Sequence, residues 1–440
     1  MNNKERLDLA EWAMNYALKT GADESSAVIY NSRDIEIEYR DKKLETMKES
    51  TRNSLSLQVY ADKRYSGHST NDLRKDSLEK FIKEAVAGTK YLTRDEFRAL
   101  PDPKYYPENT DTDLGLTDPG YDKIEASERK NIASEIERVA SAQSDLIISA
   151  TAGYNDSYYE FARVHSNGFK GEGAGTFFTA GASVTVNDKD GGRPEDWYYA
   201  TSRFRNELPT PEMLGRNAAE RALKKIGQKK IESGIYEMLV ENRAGSRLLY
   251  MLAEPLSARA LQQKSSFLDG MLDKPIASDK LTVIDDPFVR GGFGSRIFDG
   301  EGIAAKKKMI IEKGVLRNYY VDNYYGKKIG MEPNSGSTSN ILFEYGTKSL
   351  EDMIKDQKRA ILVNGFIGGN SNSTTGDFSF GIVGFLIENG KIVKPVNEMN
   401  VSGNAKDFWK SLAEMGNDPY PYSSMKIPTM AFTGVNFSGL

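Results

Sequence analysis

Between Gly245 and Phe267 the apolar positions Leu248, Leu252, Leu256 and Ala260 recur every four residues, and Leu249 and Ala253 widen the stripe. That spacing predicts one buried face of a helix, entered from the strand-like run Tyr236–Val240. Pro255 falls inside the pattern. It has no N–H for the Met251 carbonyl, and its ring crowds that carbonyl, so the helix is expected to kink or restart there. From the periodicity alone this is a buried helix with a proline kink.

The N-terminal half carries two helix-strands-helix patterns. Glu5–Thr20 has the helical period, and Gly21 stands where a glycine would end it. Strands are predicted at Ser26–Tyr30, Ile35–Tyr39, Ser54–Tyr60 and Arg64–Ser69, then a helix over Leu73–Leu92 behind an Asn71-Asp72 cap. The order returns with a helix over Asp122–Ala142 and strands at Asp145–Ala152, Tyr158–His165, Gly173–Val186 and near Trp197–Phe204. A helix from Pro211 to about Ile226 closes it. No residue-by-residue repeat accompanies that order, so a duplication rests on topology alone.

Past Ile231 glycines become dense and short β-rich runs lie between them: Lys308–Glu312, Val315–Val321, Ala360–Asn364, Phe378–Glu388, Lys391–Met399 and Thr429–Phe437, with a short helix over Asp407–Met415. The fold class expected is α+β. Residues 1–98 form an N-terminal α/β unit, 99–115 a proline- and acid-rich linker or wrapping loop, 116–230 a second α/β unit, and 231–440 a β-rich C-terminal domain.

Composition narrows the classes. With 39% hydrophobic and 28% charged residues, the chain is a soluble globular type rather than a disordered one. A net charge of −4 with scattered Lys and Arg argues against a protein built to hold a nucleic-acid backbone. The clusters Lys224–Lys230 and Lys306–Lys308 read as solvated faces. There is no cysteine, hence no disulfide, thiolate nucleophile or cysteine metal site. The charged, helical start lacks an apolar signal region, and no run approaches the ~18 apolar residues of a membrane span, so a cytoplasmic location is expected.

Candidate chemistry is sparse. His68 and His165 are the only histidines, each more simply a structural residue, and no G-x-S-x-G elbow accompanies them. In Gly291–Gly302 the glycines suit tight turns at positive φ rather than a phosphate loop, since no Lys-Ser/Thr follows. Asp299 and Glu301 in that turn read first as solvated acids, and second as a carboxylate pair. Ser371, Ser373, Thr374 and Thr375 read as turn residues bonding their own backbone. The tyrosines of Asn318–Gly326 and Asp418–Ser424 suit a contact surface or half-buried β positions.

The run LLYMLAEPLSARALQQKSSFLDG, with IFDGEG downstream and TGDFSFG, GFLIENGKIVKPV and GN further on, resembles the TldD/PmbA family of peptidases. The resemblance covers about Ser25 to the C-terminus and is most specific over 231–440. In the family's metal-binding branch this helix carries His-Glu-x-x-x-His: two zinc ligands, a general-base glutamate and a break between the ligands, because residues five apart lie about 140° apart on an ideal helix. A C-terminal cysteine supplies the third ligand. The matching positions here are Tyr250, Met251 and Pro255, and the loop Gly416–Met430 has no thiol. None of these can hold zinc usefully or activate its water.

The resemblance therefore implies the TldE/PmbA-type subunit, non-catalytic and without a cofactor of its own. Zinc is expected only in a TldD-like partner subunit, with peptides or unfolded proteins as substrate. FDGEG would lie in a loop near the peptidase cleft, making Asp299 and Glu301 candidate lining residues. A homo-oligomeric binding protein, in a family historically linked to DNA gyrase modulation, and a non-metal hydrolase using Asp299 and Glu301 remain as alternatives. When no partner is present a homodimer is possible, and the sequence leaves homo- versus hetero-oligomer open.

Overall fold

From Ala27 to Ile37 every second residue faces the same way, and that phase survives the polar stretch Asn31–Asp34. The computed structural model, which describes residues 1–189 and 191–440, accordingly has one strand there instead of two. Helix α1 (Asn3–Lys19) leads into β1 (Glu24–Arg40), β2 (Lys43–Ala61) and β3 (Arg64–Thr70), followed by α2 (Lys75–Thr89). Helix α3 (Ala126–Ser141) leads into β4 (Ile147–His165), β5 (Lys170–Val186) and β6 (Glu195–Ser202), followed by α4 (Pro211–Leu223). The strand pairs expected at Ser26–Tyr30 with Ile35–Tyr39, and at Asp145–Ala152 with Tyr158–His165, are thus each one continuous strand.

The polar stretches that looked like breaks are satisfied inside the sheet. Arg6 on α1, only 1% exposed, donates to Asn31 Oδ1 at 2.7 Å and pairs with Glu160 on β4. Tyr121, Arg129 and Tyr154 all donate to the Asp156 carboxylate. A buried polar group bonded in this way no longer opposes a long strand.

The six strands form a single antiparallel sheet, ordered β3-β2-β1-β4-β5-β6, with the two helix-strands-helix units meeting at the β1–β4 pair. The order is a palindrome about that pair, which gives the repeated element order a structural counterpart. Helices α1 and α2 cover Ile29, Leu55 and Leu57. Helices α3 and α4 cover Ile37, Tyr154, Phe178 and Val184.

Beyond α4 run β7 (Gly234–Val240), α5 (Ser246–Ala253), α6 (Ala258–Gln262), β8 (Val283–Asp286), β9 (Lys308–Glu312), β10 (Val315–Leu316), α7 (Asn323–Ile329), β11 (Asn340–Phe343) and α8 (Leu350–Lys355). The chain ends through β12 (Arg359–Ser371), β13 (Asp377–Glu388), β14 (Lys391–Asn404), α9 (Ala405–Phe408), β15 (Leu412–Met415) and β16 (Met430–Ser438). A second sheet is ordered β14-β13-β12-β7-β16-β15, and an additional β14–β16 pairing closes it on itself. A four-stranded sheet, β10-β9-β8-β11, packs on the same core.

Three expectations shift here. The helix predicted over Asp407–Met415 is only a turn of helix before β15, and the strand predicted over Val315–Val321 stops at Leu316. The Asn71-Asp72 cap is not the helix cap: Arg74 holds that position, and Asp72 bonds its backbone N–H at 3.1 Å.

The face of the first sheet away from its helices meets the C-terminal domain. Phe161 and Phe169 pack against Phe298, and Phe177 stacks on Phe293. Gly171 and Gly173 leave room for these rings, since a Cβ on either would lie 2.5 Å from the Phe298 or Phe161 ring. Residues 99–115 lie across the same seam: Asn323 donates to Ala99 O and Ala304 N donates to Tyr105 O, both at 2.8 Å. Among the described residues, no helix is long and apolar enough to cross a membrane.

Candidate functional site

The predicted break in the pivotal helix is present. Helix α5 buries Leu248, Met251 and Leu252, each worth about 1.5–3 kcal/mol of apolar burial, and ends at Ala253. Helix α6 begins afresh from Ser257, whose Oγ accepts from Ala260 N at 3.1 Å. The backbone freed between them is bonded elsewhere. Tyr320 N donates to Leu256 O at 2.9 Å, Ala258 N donates to Tyr320 O at 2.8 Å, and Ser266 Oγ donates to Pro255 O at 2.6 Å.

Tyr250, Met251 and Pro255 do not converge. The Tyr250 ring is 58% exposed, Met251 is 3% exposed in the core, and Pro255 is buried at the break. A phenol in solvent, a buried thioether and a pyrrolidine ring are not a zinc donor set. Among the described residues, no three His, Asp or Glu side chains come together as metal ligands. The donor chemistry at this helix does not fit the metal.

Beside the start of α5 opens a cleft of about 450 Å³. Lys225, Arg243, Arg247 and Asn364 bring polar groups to it, and Trp197 and Phe366 bring apolar surface. One wall is the latter half of β12. Parallel pairing to β7 covers only Ala360–Val363, whereas pairing to β13 continues to Ser371. From Gly365 to Ser371, β12 therefore presents an edge on the side away from β13, and residues 367–371 are exposed. Arg247, one turn before Tyr250, reaches this edge and donates to Gly369 O at 2.5 Å.

Asp299 and Glu301 lie elsewhere, and they are not the solvated turn acids of the simplest reading. The turn folds under the first sheet, leaving Asp299 6% exposed, with its Oδ1 accepting from Glu301 N at 2.8 Å and Ile303 N at 3.0 Å. Glu301 is half-buried, accepts from Asn323 N at 2.8 Å, and borders a cavity of about 50 Å³ shared with His165, Tyr60 and Tyr324. Burial raises both carboxyls, Glu301 to about 7. The cleft beside α5 shares no lining residue with this cavity.

His165 is 3% exposed, takes a hydrogen bond with Tyr106 Oη at 3.0 Å, and is pushed down to about 3 by burial and by Arg163. It is a neutral structural imidazole at ordinary pH. His68 bonds Ser66 Oγ at 2.8 Å on β3 and meets the Phe81 ring edge-on. In the β12–β13 turn, Asn372 Oδ1 accepts from Thr374 N, which is turn chemistry as expected. Of the first tyrosine run, Tyr319 and Tyr320 are buried in the C-terminal core, and Tyr324 and Tyr325 are half-buried.

In the basic clusters Lys224, Lys229, Lys230, Lys306 and Lys307 are exposed as expected, and two lysines depart from that reading. Lys225 and Lys308 are 9% and 8% exposed, not parts of solvated faces. Lys225 pairs with Asp196 at 3.1 Å, and Lys308 donates to Asn334 O and Ser335 O at 3.0 and 2.8 Å. The cleft's polar groups come from β6, the segment just after α4, the turn between β7 and α5, α5 itself and β12. Their separation in sequence left no local signal to find.

This architecture, two mirrored units on one sheet docked to a closed β domain with a broken helix at its cleft, has relatives of the metallopeptidase class. Models of the PmbA/TldA metallopeptidase match domain 1 over residues 26–88, the central domain over 119–226 and the C-terminal domain over 233–439. A Bacteroides thetaiotaomicron protein, solved under the description of a candidate modulator of DNA gyrase, is 42% identical, covers 100% of both chains and superposes with a TM-score of 0.97. The metalloprotease PmbA of Escherichia coli is 25% identical over 98% of this chain and 96% of its own. TldE from Thermococcus kodakarensis shares the fold, with a TM-score of 0.84 at 22% identity over 98% of this chain and 100% of its own. The chain belongs to the TldD/PmbA family.

Proposed function

We propose that this chain is the non-catalytic, TldE/PmbA-type subunit of a two-subunit metallopeptidase, working in the cytoplasm on peptides or unfolded proteins. The observation that carries the reading is the motif helix. It keeps the break that spaced ligands would need, yet its three motif positions hold one exposed phenol, one core thioether and the proline of the break. A TldD-like partner would supply the zinc.

The contribution of this chain is then binding and shape. The edge of β12 from Gly365 to Ser371, apart from the Gly368 and Gly369 carbonyls that accept from Arg247, offers backbone N–H and C=O groups to which an extended peptide can add as a strand. The alternative hydrolase reading loses ground because Asp299 is enclosed and already bonded to two backbone N–H groups. Gyrase modulation, the description carried by the Bacteroides relative, gains no support from a net charge of −4 if it requires DNA contact.

The test is metal content and casein hydrolysis for the purified chain, alone and mixed with a His-Glu-x-x-x-His homologue from the same host. Activity only in the mixture, with no zinc in this chain alone, is the expected result. Stoichiometric zinc or proteolysis by this chain alone would overturn it.

A further inference from the structure

The cleft beside α5 holds more positive charge than its own acids neutralise. Asp196 on β6, 4% exposed, sits among Arg243 Nη2 at 3.1 Å, Lys225 Nζ at 3.1 Å and Arg221 Nε at 3.6 Å. Arg221 is taken up by Glu241, which accepts two hydrogen bonds at 2.8 and 2.7 Å. Arg247 adds a fourth cation, whose hydrogen bonds go to the carbonyls of Gly368 and Gly369. Counting exposed Glu195 on the rim, four cations meet three carboxylates. Burial, followed by repulsion from the neighbouring cations, holds Arg243 below its ordinary value; burial does the same to Lys225 against the pull of Asp196.

Three buried polar atoms in the same cleft lack a hydrogen bond: Asp196 Oδ2, which lies against Lys225 and Arg221 as an ion pair, and one atom each of Asn364 and Arg247, which have no such compensation. Asn364, 7% exposed, has no partner for its Oδ1, and its amide can present either oxygen or NH₂ to the cleft. Arg247 Nε is buried and unpartnered as well. A planar anion accepting from a guanidinium edge and an amide would satisfy both, as charge-assisted hydrogen bonds. The edge of β12 that no strand pairs starts next to Asn364 and runs over Gly365–Ser371, interrupted by a bulge between Ile367 and Asn370 where Gly368 and Gly369 take positive φ and their carbonyls accept from Arg247.

We propose that the cleft receives a carboxylate of an extended peptide laid along the free edge of β12, with Arg247 and Asn364 as its recognising groups. The carboxylate is the peptide's C-terminus or an acidic side chain near it. Arg247 sets which peptides the edge accepts, and the Asp196 cluster supplies the surplus positive field behind it. This inference rests on the reading of β12 as a peptide-binding edge, and the experiment separates the two.

An N-terminally labelled ten-residue peptide of Thr, Val and Ser is made as the free acid, as the C-terminal amide, and as the amide with one Glu near its end. Each is titrated onto the full chain by fluorescence anisotropy. The free acid is expected to bind about tenfold tighter than the plain amide at low salt, with the gap closing as salt rises. Arg247→Gln is expected to abolish the preference for the acid, and Arg247→Lys to retain part of it. If the Glu-bearing amide matches the free acid, the recognised group is a side-chain carboxylate, and the proposal stands with that source. If all three peptides bind equally, the edge reading stands and the carboxylate proposal falls. If none binds, both fall.

Discussion

Replacing Glu301 by Gln removes one charge from beneath the first sheet and keeps an oxygen to accept from Asn323 N, 2.8 Å away in the wild type. Enclosure, and to a lesser degree the negative charges of Asp299 and Asp322, lifts the Glu301 carboxyl from 4.5 to about 7. In the unfolded chain the group ionises near 4.5, whereas in the folded chain it holds its proton until about 7. The raised value therefore costs nothing below pH 4.5, and the cost grows as pH rises from 4.5 to 7 and is then constant. At ~1.4 kcal/mol per pH unit the full penalty is about 3 kcal/mol, of which about 2–3 develops between pH 5 and pH 8. Urea unfolding followed by Trp409, buried in the C-terminal core, measures it. The stability difference between E301Q and wild type should move in favour of the variant by about 2–3 kcal/mol on going from pH 5 to pH 8. Comparing the two proteins at each pH cancels other titrating groups, including His165, whose depressed value makes it destabilising as pH falls below 6.5. A difference that is the same at both pH values would show Glu301 to be solvated and the packing of Gly291–Gly302 beneath the sheet to be wrong.

Asp156→Ala should cost about 3–5 kcal/mol, because it strands the Arg129 guanidinium, 4% exposed, away from its carboxylate; a loss under 1 kcal/mol by chemical denaturation would contradict the buried Arg129–Asp156 pair. Met251→Glu places a carboxylate in the C-terminal core and should lower stability by several kcal/mol. The triple change Tyr250→His, Met251→Glu, Pro255→His should still take up less than stoichiometric zinc by elemental analysis, since no third ligand converges there. Gly181→Ala would set a Cβ 2.1 Å from Tyr198 O across the β5–β6 pair, so its thermal midpoint should drop by several degrees, with little change if the strands can separate freely.

The two α/β units, the β-rich C-terminal domain and the helix break were legible because each is written in local period or in a single breaker residue. Strand length was not. Asn31–Asp34 and Asn155–Ser157 look like turns until Arg6 and Arg129 arrive from distant helices to satisfy them. Burial of Lys225 and Lys308 was invisible for the same reason: each partner lies on another element; the bonds of Asp299 are local to its turn, but the sheet that covers the turn is not. The cleft is the extreme case, since Asp196, Lys225, Arg247 and Asn364 span about 170 residues of chain and become neighbours only after the closed sheet and the mirrored sheet dock.

Pro255 marks where local reading and function part. Its break is held by Leu256 and Ala258 bonding Tyr320, which ties the α5–α6 corner to the chain just ahead of α7. A continuous helix would forfeit both bonds, at about 0.5–1.5 kcal/mol each, and would push α6 off the core that Ala258 and Leu261 fill. The corner thus has a structural use that does not depend on any metal. Retaining the break says nothing by itself about lost catalysis; that argument rests on the side chains of Tyr250 and Met251. What the corner does establish is position: it fixes α5 so that Arg247, one turn before Tyr250, meets the free edge of β12. A subunit without ligands can still hold peptide at that edge, and the Arg247 variants separate binding from chemistry.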